Sequence, residues 1–141
     1  MTIKASLLVA AGIGMLASCV PVKEDSTPAP LTEKNAKYLA KALKGKIAGE
    51  PVNCVSSIGN VSLIPVSDDL ILYRQSPNLV YQNRLRHRCH GLTDDRDVIV
   101  TRPFGSQYCK GDLITLVDRH SGIPGAACSL GKFIPYRKPK S

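Results

Sequence analysis

Leu70-Ile71-Leu72-Tyr73-Arg74-Gln75-Ser76-Pro77-Asn78-Leu79-Val80-Tyr81-Gln82-Asn83-Arg84-Leu85 is the stretch that decides the fold class. Two runs rich in apolar and aromatic residues flank Ser76-Pro77-Asn78, a turn tripeptide, and Asp68-Asp69 turns the chain into the first run. Neither run carries the three-to-four spacing of a helix, so the segment is expected to be a β-hairpin. Just upstream, Val61-Ser62-Leu63-Ile64-Pro65-Val66 is a further strand. Downstream, strands are expected at Asp97–Arg102, Leu113–Val117 and Ala126–Pro135. Short strands separated by turn residues predict a mainly β fold, a small disulfide-bonded antiparallel sheet or barrel with one N-terminal amphipathic helix outside it. The chain contains no internal repeat.

That helix is expected over residues 32–45. Thr32 is placed to cap its start and Gly45 to end it. Ala36, Leu39, Ala40 and Leu43 recur at helical spacing and make one narrow apolar face. Lys34, Lys37, Lys41 and Lys44 form a basic stripe beside it, which is either a solvated surface or a contact for anionic head groups.

The first residues carry an export signal. Lys4 gives a short positive region, and Ala5 to Leu16 is an apolar run too short to span a bilayer, which needs roughly 20 residues. Leu16-Ala17-Ser18-Cys19 follows and resembles the lipobox of bacterial lipoproteins. The resemblance implies cleavage before Cys19, diacylglycerol on its sulfur and palmitate-type acylation of the new amino group. Several chains hold a protein firmly where one binds marginally. Val20 rather than aspartate follows the cysteine, which by the same family rule sends the protein to the outer membrane, facing the periplasm. Residues 1–18 are then the signal peptide. Residues 19–31, with three prolines and little to bury, form a tether; a β domain covers 46–136 and a loose basic tail 137–141.

What remains after cleavage is one domain's worth of chain. The whole sequence has 19 basic and 11 acidic side chains and net charge +8, so without Lys4 the exported part stands near +7. Anionic glycolipid, phospholipid or envelope polymer would be attracted to such a surface. Nucleic acid is not expected, because the chain is exported and, lacking Trp, offers no stacking platform for bases. Beyond Cys19 there are four cysteines, Cys54, Cys89, Cys109 and Cys128, which in an oxidising compartment imply two disulfides. Of the three pairings open to them, Cys89–Cys109 nested inside Cys54–Cys128 is the expected one, tying the first strand of the domain to the last. Zinc is not expected, since no C-x-x-C pair exists.

Residues 54–136 also resemble a family of small exported alphaproteobacterial proteins, sphingomonads among them, with no assigned function. The residues that carry this are Asp69-Leu70-Ile71-Leu72-Tyr73-Arg74, Tyr81-Gln82-Asn83-Arg84-Leu85, Cys89-His90-Gly91-Leu92, Gly105-Ser106-Gln107-Tyr108-Cys109-Lys110-Gly111-Asp112 and Gly125-Ala126-Ala127-Cys128-Ser129-Leu130-Gly131-Lys132-Phe133. The resemblance implies a disulfide-bonded β domain and brings no catalytic residues with it.

Few constellations invite chemistry. His87-Arg88-Cys89-His90 has metal-ligand types, but a disulfide removes the thiol, and Arg84, Arg86 and Arg88 oppose a cation. His120-Ser121 lacks a G-x-S-x-G context and is expected to be a loop. Asp94-Asp95-Arg96-Asp97 lacks the glycine and distant glutamate of a calcium loop. Asp112 is placed to fix a turn by accepting backbone N–H groups. No catalytic residue, metal or cofactor is therefore assigned. Arg84, Arg86 and Arg88, with the lysine stripe, point to an anionic partner. The expected function is a non-enzymatic envelope lipoprotein that binds such a component; the alternative is a protein-binding module such as a hydrolase inhibitor.

Overall fold

The computed structural model describes residues 27–140. The signal peptide, the lipobox and Cys19 lie outside the described residues. One helix, α1 (Glu33–Leu43), precedes ten strands: β1 (Ile47–Ala48), β2 (Cys54–Ser56), β3 (Ser62–Ser67), β4 (Leu70–Ser76), β5 (Leu79–Arg84), β6 (Asp97–Thr101), β7 (Gln107–Cys109), β8 (Leu113–Asp118), β9 (Pro124–Ser129) and β10 (Phe133–Arg137). They form a five-stranded sheet β1-β10-β5-β4-β3, a three-stranded sheet β6-β8-β9 and the pair β2-β7, all antiparallel. The sheets remain open, so the mainly β antiparallel expectation holds and the barrel alternative does not. The helix lies at Glu33–Leu43 rather than at the N-terminus of the chain.

The quoted hairpin is the middle of the molecule. Leu70, Ile71, Leu72 and Tyr73 are all buried, which one-faced burial of a strand cannot produce, because alternate side chains point to opposite faces. The register sorts them. Ile71 and Tyr73 stand opposite Asn83 and Tyr81, and this face packs against Ile114, Leu116, Leu130, Phe133 and Val55. Tyr73 meets the rings of Tyr81, Tyr108 and Phe133 edge to face, at centroid distances of 6.2, 5.4 and 6.0 Å. Its hydroxyl donates to the Ser56 carbonyl at 2.7 Å. Leu70 and Leu72 point the other way, where they join Val66 and Val80 under α1.

The helix starts as its sequence predicts: Thr32 Oγ1 accepts from the Asn35 N–H at 3.2 Å, and Gly45 follows its end with φ +69°. Its apolar face is displaced from the expected one. Tyr38, Leu39, Ala42 and Leu43 meet the sheet, whereas Ala36 and Ala40 are exposed. Asn35 settles this rotation by donating to the Val66 carbonyl at 2.8 Å, and Tyr38 by accepting from Arg74.

Two disulfides are present, with a pairing other than the expected one: Cys54–Cys109 and Cys89–Cys128. The reason is a strand that composition did not reveal. Gln107–Cys109 pairs with Cys54–Ser56, which sets Cys54 directly opposite Cys109. Cys128, on β9, then lies beside the buried Cys89. The joining of early chain to late chain is done instead by hydrogen bonds exchanged between Val52 and Phe133. The expected single strand Ala126–Pro135 is two, broken at Leu130-Gly131-Lys132, and they belong to different sheets. At the break the buried Asn83 side chain donates to the Gly131 carbonyl at 2.9 Å and accepts from its N–H at 3.0 Å. A Cβ at Gly131 would run into the Arg84 carbonyl, so only glycine fits there. Arg137, expected in the loose tail, is paired within β10.

Candidate functional site

The helix-bearing side of the large sheet gathers more cations than carboxylates. Lys34, Lys37, Lys41 and Lys44 are all exposed on α1, outside the face that Tyr38, Leu39, Ala42 and Leu43 turn to the sheet. Lys37 pairs with Glu33 at 2.6 Å, an exposed one-turn pair of little energetic weight. Among the described residues Lys34, Lys41 and Lys44 have no carboxylate within salt-bridge distance, and neither do Lys46 and Arg74. Two grooves flank the helix. One, of about 360 Å³, lies between Lys34, Lys37, Lys41 and the β3 residues Ile64 and Pro65. The other, of about 390 Å³, is bounded by Tyr38, Lys41, Ala42, Lys46, Arg74, Pro77 and Val80.

Two of the three clustered arginines are engaged within the domain. Arg84 shares the helix-bearing face by strand alternation, but its guanidinium is committed to Asp69 at 2.5 Å. Asp69 also accepts from Ser67 Oγ at 2.6 Å and from the Ala29 N–H at 3.2 Å. Burial alone would raise the Asp69 pKa; the bonds from Ser67 and Ala29 and the Arg84 charge outweigh it and hold the carboxyl below its ordinary value. Arg88 is half-buried and donates to the Thr27 and Pro28 carbonyls at 3.2 and 3.5 Å, the second at the limit of a hydrogen bond. Together Asp69 and Arg88 dock Thr27–Ala29 on the domain, where a free tether was expected, and Ala29 is buried. Of the three arginines only Arg86 has an exposed side chain for which no partner is seen among the described residues; its N–H bonds the Ser129 carbonyl.

The remaining constellations take local structural roles. Asp112 accepts from the Cys109 N–H at 2.7 Å and fixes its turn, as expected. Ser121 Oγ donates to Asp118 rather than to His120, at 3.0 Å. The Asp118 carboxyl, which also accepts the His120 and Ser121 N–H groups, is held below its usual range by the Ser121 backbone bond first of all. Asp94 closes a turn onto Arg96, at 3.1 Å from its N–H. Cys89 is spent in a disulfide, and among the described residues no three His, Cys, Asp or Glu side chains converge as a metal site. No described helix is long and apolar enough to cross a membrane.

Tyr38, Lys46 and Arg74 went unselected by sequence reasoning. Alternation along β4 places Arg74 with Leu70 and Leu72, toward the helix, and Lys46 falls four residues beyond Ala42, so both could have been found once the helix was assigned to that face. Comparison with known protein families, characterised proteins and solved structures finds no match to the chain.

Proposed function

We propose that this chain is a non-enzymatic, lipid-anchored protein of the bacterial cell envelope, on the periplasmic face of the outer membrane, whose helix-bearing side binds an anionic envelope component. The observation that carries the reading is the set Lys34, Lys41, Lys44, Lys46 and Arg74, on or beside one helix and without carboxylate partners among the described residues. Two disulfides support an oxidising compartment. The docking of Thr27–Ala29 shortens the link to an acylated Cys19: eight residues reach at most roughly 28 Å, so the helix that begins at Glu33 stays near the surface. Arg84 and Arg88 belong to the docking of that link, and the lysines carry the contact.

The test is co-sedimentation of the full chain with phosphatidylglycerol and phosphatidylcholine vesicles across a salt series. Binding to the anionic vesicles alone is expected, falling as the Debye length shrinks from about 10 Å at 0.1 M to about 3 Å at 1 M. Reversing Lys34, Lys41 and Lys44 to glutamate should abolish it, while reversing Lys138 and Lys140 should not. Equal binding to neutral vesicles would contradict the proposal.

One observation favours the alternative of a protein-binding module such as a hydrolase inhibitor. Phe104 stands 97% exposed on the loop between β6 and β7, at the end of the β2–β7 ladder that also carries the exposed Ile58. A Phe104→Ser variant that loses an envelope protein captured by the wild type would support that reading.

A further inference from the structure

The groove between α1 and the β4–β5 turn is more than part of a charged surface. Two of its three cations are tethered by hydrogen bonds. Arg74 Nη2 donates to Tyr38 Oη at 2.6 Å, which tethers the guanidinium to the helix. Lys46 Nζ donates to the Ala42 carbonyl at 2.6 Å, in the last turn of the helix, which spends one of its three N–H groups and keeps the others free. Lys41 closes the third side. The walls between them are apolar: Val80 is buried at the floor and Pro77 stands at the turn. Cross-strand to Arg74 are Ser62 and Val80, so neither neighbouring strand brings a carboxylate toward it. Three cationic side chains lining one groove carry a charge that a single carboxylate does not balance but a doubly charged phosphate comes nearer to balancing, and a planar guanidinium beside two lysines suits phosphate oxygens. The volume, about 390 Å³, exceeds what a bare phosphate fills and falls within the range of small-molecule sites. Tyr38 and the apolar walls provide for the carrier of that phosphate.

We infer that this groove binds a phosphomonoester on a sugar-sized carrier, with Arg74, Lys46 and Lys41 holding the phosphate and Tyr38, Pro77 and Val80 flanking the carrier. The inference deepens the reading above and rests on it for the shared Lys41. The phosphomonoester would come either from a membrane head group or from a soluble sugar phosphate.

The test uses the full chain in non-ionic detergent, titrated with glucose 6-phosphate, glucose and inorganic phosphate, and separately mixed with phosphatidylcholine vesicles carrying phosphatidic acid. Saturable binding of glucose 6-phosphate, none of glucose, and competition by inorganic phosphate are expected. Arg74→Gln and Lys46→Gln should each weaken it roughly tenfold, the loss of one charge-assisted hydrogen bond. Lys46 lies outside β4, so its variant answers the question even if Arg74→Gln disturbs the strand. Phosphatidic acid bound through Arg74 and Lys46 without glucose 6-phosphate would assign the ligand to a head group. The converse, with no vesicle binding at all, would keep the groove and overturn the surface reading. Vesicle binding that depends on Lys34 and Lys44 but ignores Arg74 and Lys46, with no glucose 6-phosphate bound, would overturn the groove and keep the surface. Binding of glucose as tight as that of its phosphate would overturn the groove as well.

Discussion

The two faces of the β4–β5 hairpin are built on different terms. One looks into a core where Ile71, Tyr73, Phe133, Ile114 and Leu116 are buried to within a few per cent, with the Cys89–Cys128 bridge buried among them. The other is roofed by a helix with no fully buried residue, carries no disulfide, and is flanked by two cation-lined grooves. Close packing leaves no room for a ligand; partial packing does. The core face therefore holds the fold, and the helix face is where an anionic partner has space and charge to meet. Asp69 joins the two tasks, since it anchors both the incoming chain and the strand that forms the floor of the helix layer.

Substitutions should separate the faces. Phe133→Ala removes a ring that contacts Tyr73 and Tyr81 and should cost about 3–5 kcal/mol in urea unfolding. Replacing both Cys89 and Cys128 by serine frees a loop of 39 residues of separation and should cost about 4 kcal/mol through unfolded-state entropy. Peptide mapping under mild reduction should find Cys54–Cys109 opened first, because Cys54 is exposed and Cys89 is not. On the other face Leu39→Ala is expected to cost only about 1 kcal/mol, its side chain being half-buried. Asp69→Asn should cost about as much, because the buried side chain loses its charge toward Ser67 and the Ala29 N–H, while the half-exposed Arg84 is screened by water and adds little. Its sign is testable by pH. The folded Asp69 carboxyl ionises below its ordinary value of 3.8, so its contribution is present above that pH and lost as the pH falls through the folded value. Wild type should thus lose stability on acidification below about pH 4 by more than Asp69→Asn does. Lys34, Lys41 and Lys44 changed together to glutamate should leave stability within about 0.5 kcal/mol while removing anionic binding. A large stability loss there would break the division between the faces.

What could be read from the chain depended on how far apart the partners were. The hairpin was legible because its strands and turn are contiguous, and Thr32 and Gly45 bounded the helix for the same reason. The disulfide pairing was not, since it turned on a three-residue strand at Gln107–Cys109 that carries no periodicity of its own. Asn83, read as one more residue in a strand, is a clamp across 48 positions to Gly131. The arginines show the same dependence on distant partners. As a cluster they imply an anion site, yet Arg84 finds its anion 15 residues upstream in Asp69, and Arg88 binds carbonyls 61 and 60 residues away. Local sequence holds the charges; only tertiary placement tells which have been neutralised.

Hydrogen–deuterium exchange of the full chain, with and without phosphatidylglycerol vesicles, tests the contrast between the faces most directly. Protection is expected to rise in α1 and at the β4–β5 turn around Arg74 and Pro77, with β6, β8 and β9 unchanged. Protection confined to the loop around Phe104 or to β6–β9, with α1 exchanging as in solution, would contradict the account.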